Sequence, residues 1–390
     1  MMTLLFWLMA LVMFAVATRV GRYLGLIPIV SQLLLATFAL PLLMLLLIEP
    51  QWQLSGAQLV APVWLKTLYG LSFAIVLGHI LSDVIEVRID RQSLKVALPS
   101  FCLPFLAGLA CASWLLPEQP WISSLALGLV FAITAIPVLY LYLRHIDYPP
   151  EATRRLVQTA IIIDLMCWSL FGLAQGSLSL SSLLLPLLGA CVPLAFRLLR
   201  IRQPLIYSVT FFALLVVAER YKLNALIFGI GYLLCMARLK QPWTLPVNRE
   251  WFIGLQTWLA IPLILTFGIV QINVHSAIDS LSWVQLGALV VLPIISKMFG
   301  NWLGLRWATR SFAGASLWRE TILLNIRGLS EIIFLNMLLQ QQMISPALYF
   351  ALMLMSLLAT LMPALLGMGR APLQRPVTAV DQLRKSCANN

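Results

Sequence analysis

The sequence predicts an all-α polytopic membrane protein of about thirteen transmembrane helices. Three observations carry that expectation. Hydrophobic residues make up 61% of the 390 positions, above the roughly 45–50% of soluble domains. Charged residues make up only 10%, and the mean hydropathy is +0.94. Apolar stretches recur at about the 20 residues that a helix needs to cross roughly 30 Å of hydrocarbon. Backbone facing lipid must satisfy its own hydrogen bonds, and stretches of this length do so as helices.

The first segment, 2–18, lacks the basic stretch that opens a secretory signal, although Ala15-Val16-Ala17 is weakly cleavage-like; it reads as a retained membrane helix. Segments at 25–48, 61–82, 96–117, 121–143 and 155–175 follow. Those at 179–197, 204–219 and 223–238 are short, so they are tilted differently or partly broken. The last four are 251–272, 281–304, 315–339 and 343–367, with a short tail at 369–390. Residues 1–368 therefore read as one membrane domain, and no loop is long enough to hold a soluble one.

Loop charge orients the chain. Connections after odd segments carry Arg19 and Arg22; Arg88, Arg91 and Lys95; Arg144, Arg154 and Arg155; Arg197, Arg200 and Arg202; Arg238, Lys240 and Arg249; Arg306, Arg310 and Arg319. The tail adds Arg370, Arg375, Arg384 and Lys385, whereas the opposite connections hold Lys66, Arg220 and Lys222. By the positive-inside rule the N-terminus lies outside and the C-terminus in the cytoplasm, with the cytoplasmic (inner) membrane as the location. The same bias accounts for the net charge of +12. Short basic loops without aromatic interleaving do not make a nucleic-acid surface.

Other chemistry finds little support. The six cysteines have neither metal-ligand spacing nor a disulfide framework, and most read as small core residues. Gly229-Ile230-Gly231 lies in an apolar run with no phosphate-binding context, so no nucleotide or other cofactor is expected. No nucleophile, oriented base and oxyanion group come together, and the chain is not read as an enzyme.

Helix breakers inside long segments are more informative. Segment 121–143 contains Thr134-Ala135-Ile136-Pro137, where proline removes a backbone donor and clashes with the preceding turn. Two readings stand: a simple kink, or a broken helix whose free carbonyls and termini hold ions, as in many transporters. Segment 315–339 carries the run RGLSE with Gly328, a candidate for a similar discontinuity. The two segments lie seven elements apart, a relation that fits inverted repeats.

With the loop charges set aside, the central ionisable candidates inside membrane segments are Asp164, Lys297, Arg327 and Glu331. Asp164 interrupts AIIIDLMCWSLF far from either end, and an intramembrane carboxylate is costly and by default a transport-site hypothesis. The alternative is an acid neutralised by a helix neighbour. Arg327 and Glu331 are spaced i,i+4, which lets them pair, with a structural task as the leading reading. Lys297 either snorkels to an interface or sits near Asp164 and offsets an empty carboxylate. His79 is a weaker candidate, read as a hydrogen-bonded core histidine. A carboxylate suits alternating occupancy by H⁺ and a hard monovalent cation, because both compete for the same oxygens.

The ordered motifs carry a resemblance. GRYLGLIPIVSQLLLATFALP at 21–41, AITAIPV at 132–138, AIIIDLMCWSLF at 160–171, FGI at 267–269, Lys297 with Gly300, RGLSEIIF at 327–334 and SLLATLMPALL at 356–366 occur in the order seen in one family. On them the chain resembles the monovalent cation:proton antiporter-2 family of sodium or potassium/proton exchangers across nearly all thirteen segments. The resemblance implies a sodium/proton antiporter-like fold with inverted repeats and broken crossing helices. It also implies a homodimer, with a mobile transport core of helices at about 96–175 and 281–367 against a dimerisation scaffold.

It implies that Asp164 is the ion and proton ligand, taking Na⁺ or K⁺, and that Thr134 approaches the cation. Lys297, Arg327, Glu331 and Pro137 are supporting or gating residues on the same basis. The family commonly has a polar or acidic residue directly before the ligand aspartate; here that position is Ile163, so the mechanism of two-acid relatives does not transfer intact. One-for-one electroneutral exchange of a cation for H⁺ is the leading reading. Two others stay open: a transporter-like membrane subunit that binds a partner or regulates it, and proton-coupled anion transport with Lys297 helping to bind substrate.

Overall fold

The computed structural model describes residues 2–23, 28–52, 54–82, 90–115, 120–176, 188–201, 203–221, 225–240, 243–244, 248–271, 282–308 and 314–366, and every regular element among them is helical. The 369–390 tail and Arg88 lie outside the described residues.

Helix α1 (Met2–Tyr23) buries Phe6, Trp7, Ala10, Phe14, Thr18 and Gly21, one stripe at helical spacing. Its other face exposes Leu4, Leu8, Val12 and Val16, as a lipid-facing helix does. Helix α2 (Pro28–Trp52) is a continuous rod with widened turns at Leu35–Ala39 and Met44–Trp52, around Pro41 and Pro50, which cannot donate to the ladder. The short α3 (Gly56–Val60) starts from a capping box between Ser55 and Gln58. Then come α4 (Val63–Ser82), α5 (Arg91–Leu115), the half-helices α6 (Trp121–Ala132) and α7 (Ile136–His145), and α8 (Pro150–Gly176). The shorter α9 (Val192–Leu198), α10 (Pro204–Arg220) and α11 (Ala225–Arg238) lead into α12 (Glu250–Val270) and α13 (Trp283–Ala308). A second pair of half-helices, α14 (Gly314–Leu323) and α15 (Leu329–Gln340), precedes α16 (Pro346–Leu365).

Seven of these, α1, α2, α5, α8, α12, α13 and α16, are long and apolar enough to cross a membrane unbroken. With the shorter apolar helices they make a multi-pass membrane protein whose described helices follow the expected segments in order, the seventh, expected at 179–197, being described only from 188.

Helices α5, α6, α8, α13 and α16 pack into one cluster, with α5 against α13 at its centre. The approach there is set by glycine. A Cβ on Gly300 would stand 2.7 Å from the Pro99 carbonyl oxygen, and one on Gly304 2.5 Å from that of Val96. Without a hydrophobic drive between helices in lipid, such small-residue contacts let backbones meet and gain dispersion energy. On the other side, α4 packs on α10 and α12, and α1 packs on α2 and α12.

Both expected discontinuities are real interruptions rather than kinks. Ile133, at φ −59° and ψ 150°, leaves the helical region and ends α6. Residues 133–135 are non-helical, and Pro137 is the second residue of α7, where the absence of its N–H costs the new helix nothing. In the other pair, residues 324–328 separate α14 from α15. The two gaps touch: the Ala135 N–H donates to the Ile326 carbonyl at 3.3 Å.

Among the described cysteines, Cys111 and Cys167 are buried, Cys235 is half-buried, and Cys102 on α5 and Cys191 just before α9 are exposed, so fewer are core residues than expected. His79 is half-buried with its ring edge-on to Phe252 at 5.5 Å.

Candidate functional site

The gap after α6 exposes backbone that a continuous helix would have paired. In an unbroken helix the carbonyls of Val130, Phe131, Ala132 and Ile133 would accept from the N–H groups four residues on. Thr134 instead donates its N–H to Asp164 Oδ1 at 3.0 Å, and Ala135 donates to Ile326. Ile136 opens a new helix, and Pro137 has no N–H to give. Four buried carbonyls are thereby released at the end of α6.

Two cations from distant elements take all four. Arg327 Nη1 donates to Val130 O and Nη2 to Phe131 O, each at 2.6 Å. Lys297 Nζ donates to Ala132 O, to Ile133 O at 3.3 Å and to the Thr134 hydroxyl at 2.7 Å. A buried polar group left unpaired costs about 1–3 kcal/mol. Four such carbonyls and two N–H groups would together cost on the order of 10 kcal/mol, as much as a whole domain's stability of about 5–15 kcal/mol. The cations also meet the negative end of the α6 dipole, the end where positive charge is stabilising.

Glu331 completes this arrangement. Its Oε1 accepts from Arg327 Nη1 at 3.0 Å, with both side chains fully buried. It stands in the first turn of α15, where a carboxylate meets the positive end of that helix. Thr360 of α16 donates its hydroxyl to the Arg327 carbonyl at 2.6 Å and so pins the second gap.

Asp164 lies in the middle of α8 and is 2% exposed. The structure therefore brings Asp164, Thr134 and Lys297 together at the first gap. Arg327 stands at its rim on the Val130 and Phe131 carbonyls, with Glu331 paired to its guanidinium. Pro137 lies in the adjoining turn of α7. Lys297 is fully buried, so it does not snorkel. Ile163, at the position before Asp164, is also fully buried and contributes no charge.

Some polar residues escaped sequence reasoning. Asn301 follows Lys297 by one turn on α13 and donates Nδ2 to Thr321 O in the last turn of α14, at 3.1 Å. Asn325 lies in the second gap and is fully buried. The i,i+4 spacing of Lys297 and Asn301 inside an apolar helix was the available signal. Arg155, read as a loop charge, makes a two-pronged ion pair with Glu320 at 2.7 and 2.8 Å, and Glu320 is 2% exposed. Tyr148, in the connection between α7 and α8, packs its ring against Arg319 at 5.4 Å. Burial, then the nearby Glu320 charge, push the Tyr148 phenol up to about 12. This cluster joins the start of α8 to α14.

Among the described residues no group of three or more His, Cys, Asp or Glu side chains stands ready to hold a metal ion. The oxygens at the first gap belong to one carboxylate, one hydroxyl and backbone carbonyls, hard donors unlike the nitrogen and sulfur ligands of a zinc site.

Two broken helices touching at their gaps, with a carboxylate and two buried cations around the crossing, define a sodium/proton antiporter-like membrane fold. The chain is similar to the structure of the sodium proton antiporter MjNhaP1 from Methanocaldococcus jannaschii at pH 8, with a TM-score of 0.59. That likeness covers 95% of this chain and 96% of the other at 14% sequence identity, so it speaks for the fold. No family model and no curated protein sequence matches the chain.

Proposed function

We propose that the protein exchanges a monovalent cation, Na⁺ or K⁺, for H⁺ across the cytoplasmic membrane, by alternating access to Asp164. One observation carries the reading: a buried carboxylate in a membrane helix is held by the backbone N–H of Thr134 inside a helix gap. A cation and a proton compete for the same carboxylate oxygens, and that competition is the coupling. Ionised Asp164 takes the cation, the core moves, and protonation on the other side releases it. The likeness in fold to a sodium proton antiporter supports the same class, as does the resemblance to the monovalent cation:proton antiporter-2 family.

The arrangement favours one-for-one, electroneutral exchange. Lys297 spends its donors on Ala132, Ile133 and Thr134, so it acts as a fixed cap on α6 rather than as a second proton carrier. Ile163 removes the other place where an acid would add to the count. The moving core in this reading comprises helices at about 96–175 and 281–367, working within a homodimer and surrounded by lipid. The anion reading loses ground for the same reason, since the Lys297 ammonium is engaged by protein oxygens.

The test is exchange in sealed vesicles under an imposed pH gradient, with Na⁺ and K⁺ supplied separately. The wild-type chain moves protons against at least one cation, and Asp164→Asn stops coupled exchange while its thermal unfolding stays cooperative. Normal coupled exchange by a folded Asp164→Asn protein overturns the assignment. Absence of exchange with either ion, together with a stably copurifying partner, favours the membrane-subunit reading instead.

A further inference from the structure

The two broken helices end differently. At α6 every released carbonyl is met by a cation, Arg327 or Lys297. At α14 the end is closed by neutral groups. The Asn325 N–H donates to Ile322 O at 3.0 Å, the Ile326 N–H to Leu323 O at 3.1 Å, and Asn301 Nδ2 to Thr321 O. Both nearby buried cations are committed by these bonds to α6. Among the described residues, the negative dipole end of α14 is thus met by backbone and amide donors.

Two buried amide side chains stand at that same helix end with unused oxygen. Asn301 and Asn325 are both fully buried. Asn301 Oδ1 has no hydrogen-bond partner among the described residues, and neither Oδ1 nor Nδ2 of Asn325 has one. Bonding of Asn301 Nδ2 to Thr321 leaves its oxygen as the open atom. Asn325 lies two residues beyond Leu323, the last residue of α14. Such orphaned groups are expensive in a low-dielectric interior and call for a partner such as a water or an ion. Uncharged amide and carbonyl oxygens at a helix C-terminus are the donor set that replaces the hydration shell of Na⁺ or K⁺.

We propose that the C-terminal end of α14 is a second, neutral-oxygen subsite for the monovalent cation, with the side-chain oxygens of Asn301 and Asn325 among its ligands. This deepens the exchange reading and rests on it for the identity of the ion. The Ala135–Ile326 contact joins the second gap to the first, so the subsite adjoins Asp164 and holds the ion when that carboxylate is protonated. Its own ligands do not titrate, so the binding that remains once Asp164 is neutral does not depend on pH.

The experiment is equilibrium binding of radiolabelled Na⁺, and of Rb⁺ as a potassium surrogate, to the purified full-length chain over a range of pH. Wild type shows a pH-dependent and a pH-independent component. Asp164→Asn loses the first and keeps the second, and adding Asn325→Leu lowers the remaining affinity at least tenfold. Loss of all binding in Asp164→Asn overturns the proposal, and so does full residual binding after Asn325→Leu. As a second variant, Asp164→Asn with Asn325→Asp must make the residual site tighter and pH-dependent; unchanged binding also overturns it. If wild type exchanges no cation but the pH-independent component persists and needs Asn325, the exchange reading falls and the subsite stands.

Discussion

The backbone N–H of Thr134 donates to Oδ1 of Asp164 at 3.0 Å, across 30 residues of sequence. The same hydrogen would bond Val130 in a continuous helix. One donor is therefore withdrawn from the α6 ladder and given to a carboxylate, and the carbonyl it abandons goes to Arg327. The helix break and the Asp164 contact are thus parts of one hydrogen-bond rearrangement.

Placing an acid beside Asp164 should change the stoichiometry. In Ile163→Asp a second carboxylate enters the buried site, and a proton carried there makes each cycle move net charge. Turnover in vesicles is expected to become sensitive to an imposed membrane potential, and that of wild type to be insensitive. Insensitivity of a folded, exchanging Ile163→Asp protein, or potential dependence in wild type, rejects the single-carboxylate count.

Removing the α6 cap should cost stability without altering that count. Lys297→Met leaves the Ala132 and Ile133 carbonyls and the Thr134 hydroxyl without their donor, at about 2–4 kcal/mol. Thermal unfolding is expected to shift down, with any residual exchange still one-for-one. An unchanged melting temperature contradicts the capping role.

At the rim, the two partners of one ion pair should not be equivalent. Glu331→Gln breaks a fully buried pair, for which removal of one partner costs about 3–5 kcal/mol. Arg327→Met breaks the same pair and also releases the carbonyls of Val130 and Phe131, so it should be the more destabilising. Denaturation of both variants checks the order, and equal losses would argue that the carbonyl contacts contribute nothing.

Glycines on α13 offer a matched comparison. A Cβ at Gly304 would press on the Val96 carbonyl, whereas one at Gly287 meets nothing within 4 Å. Gly304→Ala is expected to destabilise by about 1–3 kcal/mol through forced separation of α5 and α13. Gly287→Ala should be neutral or stabilising by up to about 1 kcal/mol through helix propensity. Similar melting shifts for the two would show that the close approach does not govern packing.

Much of this molecule is written in local features. Hydropathy fixes the helices and their order, since in lipid each span must satisfy its own backbone. Asp164 stands out because a lone carboxylate among isoleucines has no local explanation, and Arg327 and Glu331 announce their pairing through i,i+4 spacing. The break near Pro137 was legible as a choice between kink and gap.

Only the tertiary structure decided that choice, because the outcome depends on partners 160 or more residues away, in Lys297 and Arg327. It also revealed Asn325 and Asn301, uncharged residues that hydropathy scarcely registers. The bond between Arg155 and Glu320 likewise joins helices whose sequences give no hint of contact. The physical reason is range. Sequence determines where backbone must pair within its own helix; where that pairing fails, the replacement donors come from whichever distant side chains the packing brings within about 3 Å.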